Sequence, residues 1–471
     1  MQKPDDIPTP PLWLALIPVF VTGAALGYSI FVLDTQPHFS LFLGGVTAGL
    51  CAYFYGVPWK TIKEGFKLAI ARTVPSLIIL LIIGMLIAVW IASGIVPALM
   101  YIGLEFIVAL WFLPLILLFC SLMALITGSS WSTIGTIGVA ALGVSEGLGI
   151  PAAMTAGAVV SGAFFGDKIS PMSDSTNLTP SVLGVHLFDH IKHMLYTTIP
   201  SLGISVLAFT IMGFVVVSGN GHNGEAAVYT EHIQAHFNLS PWLLVPPIIV
   251  IALVVKRVPA IPSLIAGVVL GGIAYLVLQG GTLAGLSDQI HTGFVIDTGR
   301  PEMDALFSRG GMESMYDVVS LALVSLALGG ILNYTGMLHA IVLSLSRLLE
   351  SAGNLTATVI GTSVFVNIIS ANQYLAVILP GQMFEESYRK HKLKLKNLTR
   401  TLEAGGTLTA PLIPWNSSGV FVFATIGVPV LQYAPYALLC WLTAIIAIVF
   451  GYLKISMPSV EPAAEEPEDQ Q

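Results

Sequence analysis

The chain has 471 residues, 55% of them apolar and only 10% charged, with a formal net charge of −7. Soluble domains carry about 25% charged residues, so a soluble globular fold is excluded, and without a basic stripe nucleic-acid binding has no electrostatic support. The apolar runs are continuous rather than alternating, which excludes a β-barrel and predicts an all-α polytopic membrane protein.

The N-terminal residues Met1, Lys3, Asp5 and Asp6 lack the basic start of a signal peptide, so the first apolar stretch is expected to be retained as a helix. Candidate crossings follow at 11–33, 39–57, 73–97, 106–126, 127–143, 150–166 and 194–217. A second set lies at 241–255, 258–279, 317–340, 352–370, 371–384, 403–428 and 432–455. The pieces 127–143 and 371–384 are short and polar or Gly-rich, the composition of a re-entrant segment, which leaves about 11 to 14 spans. Residues 58–72 look amphipathic and are expected along the inner membrane surface. Basic residues cluster at Lys60 to Arg72, at Lys256 and Arg257, and at Arg389 to Arg400, whereas 219–240 has none. By the positive-inside rule both termini are cytoplasmic. Asp34, Glu64, Glu146 and Asp189 fall at span ends, and His186, His190 and His193 fall in what reads as a cytoplasmic linker. Cys51, Cys120 and Cys440 match no metal or disulfide spacing and read as buried thiols.

Three short matches relate the halves. LIAVWIASGIV from Leu86 pairs with LGGILNYTGML from Leu328, ITGSSW from Ile126 with ISANQY from Ile369, and TAGAVVSGAFFGD from Thr155 with EAGGTLTAPLIPW from Glu403. The second match sets Ser129 opposite Asn372, and the third sets Thr155 opposite Glu403. With an odd number of crossings per half, the second copy enters from the opposite face, giving two inverted-topology repeats whose broken helices meet near the membrane midplane. The expected organisation is a first repeat at 1–217, an extracytoplasmic linker at 218–240, a second repeat at 241–455 and an acidic, disordered cytoplasmic tail at 456–471.

Chemistry concentrates in SGAFFGDKISPMSDSTNL, residues 161–178. Asp167, Lys168, Ser170, Ser173, Asp174, Ser175, Thr176 and Asn177 follow an apolar helix with no hydrophilic loop between. Gly166 and Pro171 break that helix, and freed carbonyls, hydroxyls and carboxylates are the hard oxygen ligands that Na⁺ needs in place of water. Ionisable residues at this depth are costly and usually functional. Thr127, Ser129, Ser130, Ser132 and Thr133 offer neutral oxygens beside Gly128, or serve helix packing. In the second half Asn372, Gln373, Asn416, Ser417 and Ser418 repeat the broken-helix pattern with amides, either completing an oxygen cage or bonding neighbouring helices. Glu403 heads a helix, where the dipole favours it.

The run GDKISPMSDSTNL closely resembles the signature of the NhaC-type Na⁺/H⁺ antiporter family, within a wider superfamily of inverted-repeat ion transporters. TGSSWSTIGTIG at 127–138 and PWNSSG at 414–419 resemble it too, so the likeness spans most of 70–430. It implies cation/proton exchange across the cytoplasmic membrane, with some relatives coupling Na⁺ and protons to organic acids such as malate and lactate. The expected function is secondary Na⁺/H⁺ antiport by alternating access, with Na⁺ and proton competing at Asp167 and Asp174. No resident cofactor is needed; the partners are the lipid bilayer and small cations, with small organic acids and a homodimer left open. A carboxylate exchanger ranks second because no Arg can be assigned to a mid-membrane position, and a bidentate Arg clamp is a frequent carboxylate device. A channel predicts a continuous polar pore, and an enzyme needs a nucleophile or metal constellation that the sequence does not offer.

Overall fold

The computed structural model describes residues 9–33, 35–106, 109–219, 225–256, 258–345 and 351–460. Asp34, Arg257 and the acidic stretch from 461 onward, singled out above, lie outside the described residues. Helix follows helix throughout, and a single antiparallel bridge, Leu393 to Ser459, is the extent of β structure among the described residues. Among the described residues seven helices are long and apolar enough to cross a membrane, or nine if two sharply bent pairs each count as one span. Three further apolar helices have 10–17 residues: His38–Phe54 and Leu438–Leu453, at crossings expected from the sequence, and Ile95–Glu105. Large apolar side chains such as Phe54 (81% exposed) and Val277 (73%) line the outer surface, where lipid rather than water covers them.

The halves share one pattern of helix ends. Ala109–Thr127 and Ala352–Ser370 begin and end 243 residues apart (109 to 352, 127 to 370). Each is followed by a left-handed residue, Gly128 (φ 68°) or Ala371 (φ 53°), and then by a capping residue, Ser129 or Asn372. The next pair keeps that spacing, since Ala152–Ile169 corresponds to residues 395–412. So does the third, with Asp174 and Ser417 opening helices capped by Ser173 and Asn416, and with Gly184 and Gly427 in the left-handed region beyond. Upstream, Ala92 and Tyr334 end helices at a spacing of 242, and Gly94 and Gly336 supply the positive φ that lets the chain turn into the next helix. The packing between the two halves agrees with inverted-repeat architecture.

One expected register is corrected. At a spacing of 243 Glu403 stands opposite Val160, not Thr155; TAGA and EAGG are Gly/Ala-rich enough to align in either register. Three further expectations change. Residues 58–72 are no separate surface helix, because Trp59–Ala92 runs unbroken into the span. The expected linker contains a helix, Glu225–His236. His190 and His193 lie inside the Leu187–Gly219 helix and are buried.

Small residues set how closely helices approach. Gly162 and Gly166 press Ala152–Ile169 onto the backbone of Ala109–Thr127 at Leu117 and Ser121, leaving no space for a Cβ. Close backbone approach through glycine is the usual means of helix association where lipid supplies no hydrophobic drive. It also brings the ends of these two helices to one level. Cys120 and Cys440 are buried free thiols, and Cys51 is half-buried.

Candidate functional site

The first pair of breaks is a single unit. Gly128 abuts the backbone of Met172, and Ser170 Oγ donates to the Leu125 carbonyl at 2.8 Å. Asp167, in the last turn of Ala152–Ile169, is thereby aimed at the start of the helix that opens at Ser130. Its Oδ2 accepts a 2.6 Å hydrogen bond from Ser130 Oγ, and the Ser130 N–H and Ser173 hydroxyl face the same carboxylate. A carboxylate at a helix N-terminus is favoured by the unpaired N–H groups and by the dipole.

The remaining expected ligands of this segment shape the turn. Thr176 Oγ1 donates to the carbonyls of Asp167 (3.2 Å) and Lys168 (2.8 Å), closing the C-terminal end of the first helix. Asn177 Nδ2 donates to Pro171 O and Ser173 O, both at 2.8 Å, and Ser175 Oγ lies 3.1 Å from Ser173 Oγ. Asp174 is exposed at the first position of its helix. It lies within electrostatic range of Asp167, and both act on Tyr374 from the other half. Ser129 caps the Ser130 helix by accepting from Ser132 N at 3.1 Å. Thr127, Ser132, Thr133 and Thr136 line a cavity of about 10 Å³ with Met123, Val250 and Ile251, roughly the space of one water.

In the second half Asn372, Asn416, Ser417 and Ser418 meet at the other pair of breaks, with their polar groups engaged. Asn372 Oδ1 accepts from the N–H groups of Tyr374 and Leu375. Asn416 Oδ1 accepts from Ser418 N, while its Nδ2 donates to Asn367 Oδ1 at 3.1 Å. Asn367 in turn donates to Gly406 O. Ser418 Oγ donates to Gln373 Oε1, and Ser417 N to Ala371 O at 3.0 Å. These hydrogen bonds tie the two breaks together. The halves meet where Trp131 stacks on Phe421, with ring centroids 4.1 Å apart and planes at 19°.

A second polar cluster lies beside the first. Lys168 and Glu403 are both fully buried. Glu403 occupies a π-helical turn, Glu403–Thr407, a full helix beyond Leu395, so the helix-head role expected for it does not hold. Thr179 Oγ1 donates to its Oε1. Lys168 Nζ and Glu403 Oε2 have no hydrogen-bond partner, and each lies in the other's electrostatic field. Arg400, expected in a cytoplasmic loop, is fully buried and donates to Ser456 O at 3.0 Å. His190 and His193 pair with Thr399 Oγ1 (2.8 Å) and Asn397 Oδ1 (3.0 Å). Sequence reasoning does not single out Thr179, His190, His193 or Arg400 as site residues. The available signal is the density of Asn, Thr and Arg at 397–401 directly before an apolar Gly-rich run.

Among the described residues no group of three or more His, Cys, Asp or Glu side chains is arranged to hold a metal ion. The model of the Na⁺/H⁺ antiporter family matches residues 11–176 and again 162–455. The Na⁺/H⁺ antiporter NhaC of Alkalihalophilus pseudofirmus is 40% identical over 446 residues, 93% of this chain and 95% of that protein. The malate-2H⁺/Na⁺-lactate antiporter of Bacillus subtilis is 35% identical, covering 95% of this chain and 96% of the relative. The arginine/ornithine antiporter ArcD of Halobacterium salinarum is 36% identical, covering 99% and 97%. With its broken helices, repeated helix ends and full-length likeness to these antiporters, the chain belongs to the NhaC-type Na⁺/H⁺ antiporter family and is a secondary transporter of the membrane.

Proposed function

We propose that this protein exchanges a monovalent cation, Na⁺ in the first instance, for protons across the cytoplasmic membrane, with Asp167 as the carboxylate both must use. The observation that carries this reading is the placement of Asp167 where two broken helices abut, with Ser130 Oγ at 2.6 Å. Serine hydroxyls donate to the carboxylate when the cation is absent and can turn lone pairs toward a cation when it is present. A proton and a Na⁺ ion need the same carboxylate oxygens and exclude one another, which is sufficient for antiport without a cofactor. Residues 1–217 and 241–455 are the two units that rock against each other across Trp131 and Phe421, with both termini cytoplasmic. Asp174, exposed beside the site, receives the ion on its way in.

The names of the relatives support exchange in general and divide on the cargo. Coupling to an organic acid, as the name of the Bacillus subtilis relative states for that protein, is the second reading. Purified protein in liposomes with an imposed pH gradient separates the two when Na⁺, Li⁺, K⁺, malate, lactate or arginine is added singly. Collapse of the gradient by Na⁺ alone, lost in Asp167→Asn, is the expected result. A requirement for an organic solute overturns simple cation exchange, and full activity of Asp167→Asn removes the site.

A further inference from the structure

We infer that Glu403, and not Asp174, is the second carboxylate of the exchange cycle, a proton carrier held between the two halves. The inference rests on the exchange reading above. Asp174 is exposed at its helix start, free to exchange with solvent. Glu403 is fully buried, in a π-helical turn that departs from regular helix geometry, a feature found often at functional positions. One of its oxygens is engaged by Thr179; the other, Oε2, is buried and makes no hydrogen bond of ordinary geometry, with the Thr407 hydroxyl beside the carboxyl and itself unpartnered. Lys168 Nζ, from the opposite half, is buried and equally unpartnered.

A purely structural ion pair would bring ammonium and carboxylate into contact, because only direct contact offsets the cost of burying both charges. Here the two groups act on each other without a hydrogen bond, which leaves Oε2 open to a proton. The charged and titratable groups facing this position are Lys168 and Asp167 on the Ala152–Ile169 helix; Lys168 in turn lies in the field of Arg400 and Cys440, and His190 lies in the field of Lys168.

The link to the cation site is mechanical. Thr176 and Thr179 lie one turn apart on the same short helix. Thr176 is bonded to the main chain of Asp167 and Lys168, and Thr179 to Glu403. A shift of Asp167 on binding or losing a cation therefore moves the donor that holds Glu403. In each turnover Glu403 gains a proton at Oε2 from one side of the membrane and releases it to the other. An O–H bond is all that forms and breaks.

The test compares protons moved per Na⁺, from the membrane potential that nulls net flux, in proteoliposomes of wild type, Glu403→Gln and Glu403→Asp. Na⁺/Na⁺ counterflow is measured beside it. Glu403→Gln should move roughly half as many protons per Na⁺ while counterflow persists, and Glu403→Asp should restore the wild-type ratio. An unchanged ratio in Glu403→Gln overturns the inference. So does joint loss of counterflow and proton movement that Glu403→Asp fails to rescue, which marks a structural residue. A wild type without Na⁺-driven proton movement defeats the exchange reading itself, a result distinct from either.

Discussion

Ser129 and Asn372 stand 243 residues apart and play the same part in the two halves, each following a left-handed residue and accepting backbone N–H groups of the helix it opens. The two left-handed residues differ. Gly128 adopts φ 68° at no steric cost, whereas Ala371 at φ 53° carries a Cβ in a region costing roughly 1–2 kcal/mol. Ala371→Gly should therefore be neutral to stabilising by up to about 1 kcal/mol. Gly128→Ala should destabilise by more, since a Cβ there also meets the Met172 backbone. Thermal unfolding in detergent decides the ordering, and equal effects in both positions would refute it.

Ser130→Ala removes the hydroxyl that donates to the Asp167 carboxylate and that, in the exchange reading, turns its oxygen to the bound cation; polar contacts to charged groups contribute about 1.5–3 kcal/mol. Apparent Na⁺ affinity in the pH-gradient assay should fall by about tenfold or more. Ser130→Thr, which keeps the hydroxyl, should recover most of it. A Thr variant as weak as Ala would mean that side-chain volume, not the donor, matters at this position.

The stacked rings of Trp131 and Phe421 belong to different halves, so on the proposed alternating-access mechanism their contact is part of the surface that rearranges. Aromatic pairs contribute about 0.5–1.5 kcal/mol beyond simple burial. A double-mutant cycle with Trp131→Leu and Phe421→Leu should give a coupling energy of about that size in stability. Additive effects would show that the rings pack independently.

The 161–178 motif, the Ser129/Asn372 correspondence and the broken helices are legible in the sequence, because Gly, Pro and capping residues leave local marks that do not depend on distant contacts. The buried cluster is not. Arg400 is one of a run of basic residues, and counting Lys and Arg assigns such a run to a loop; its burial depends on Ser456 and Met457, more than fifty residues away. His190 and His193 escape for the same reason, their partners Thr399 and Asn397 lying on another helix. The register of Glu403 is lost to composition, since a Gly/Ala-rich stretch aligns with another at more than one offset.

Outside the spans, the Asp304 carboxyl is held below its ordinary range by the Thr298 hydroxyl, reinforced by the Thr298 N–H, both at 2.7 Å. A depressed folded-state value means that the contribution is present above the ordinary Asp range and is lost as pH falls through the lower folded value. Thr298→Val should return Asp304 toward that ordinary range by removing the hydroxyl. Carboxyl chemical shifts followed against pH measure it, and an unmoved titration would assign the effect to the N–H alone.

Asn397 joins three parts of the chain: its Oδ1 accepts from His193 Nε2, and its Nδ2 donates to Pro458 O at 2.9 Å. The same strap is held by Lys394 N to Pro458 O at 3.0 Å and by Val460 N to Lys392 O at 2.7 Å. Asn397→Ala leaves a buried imidazole without its partner, at about 1–3 kcal/mol for each buried group left unpaired. Ending the chain after Leu453 removes Pro458 from the other side of the same amide. Because both changes break one network, their effects on unfolding should be less than additive when combined, by about 0.5 kcal/mol or more. Full additivity would place the His193 contact and the strap in separate networks, with Asn397 holding each of them independently of the other.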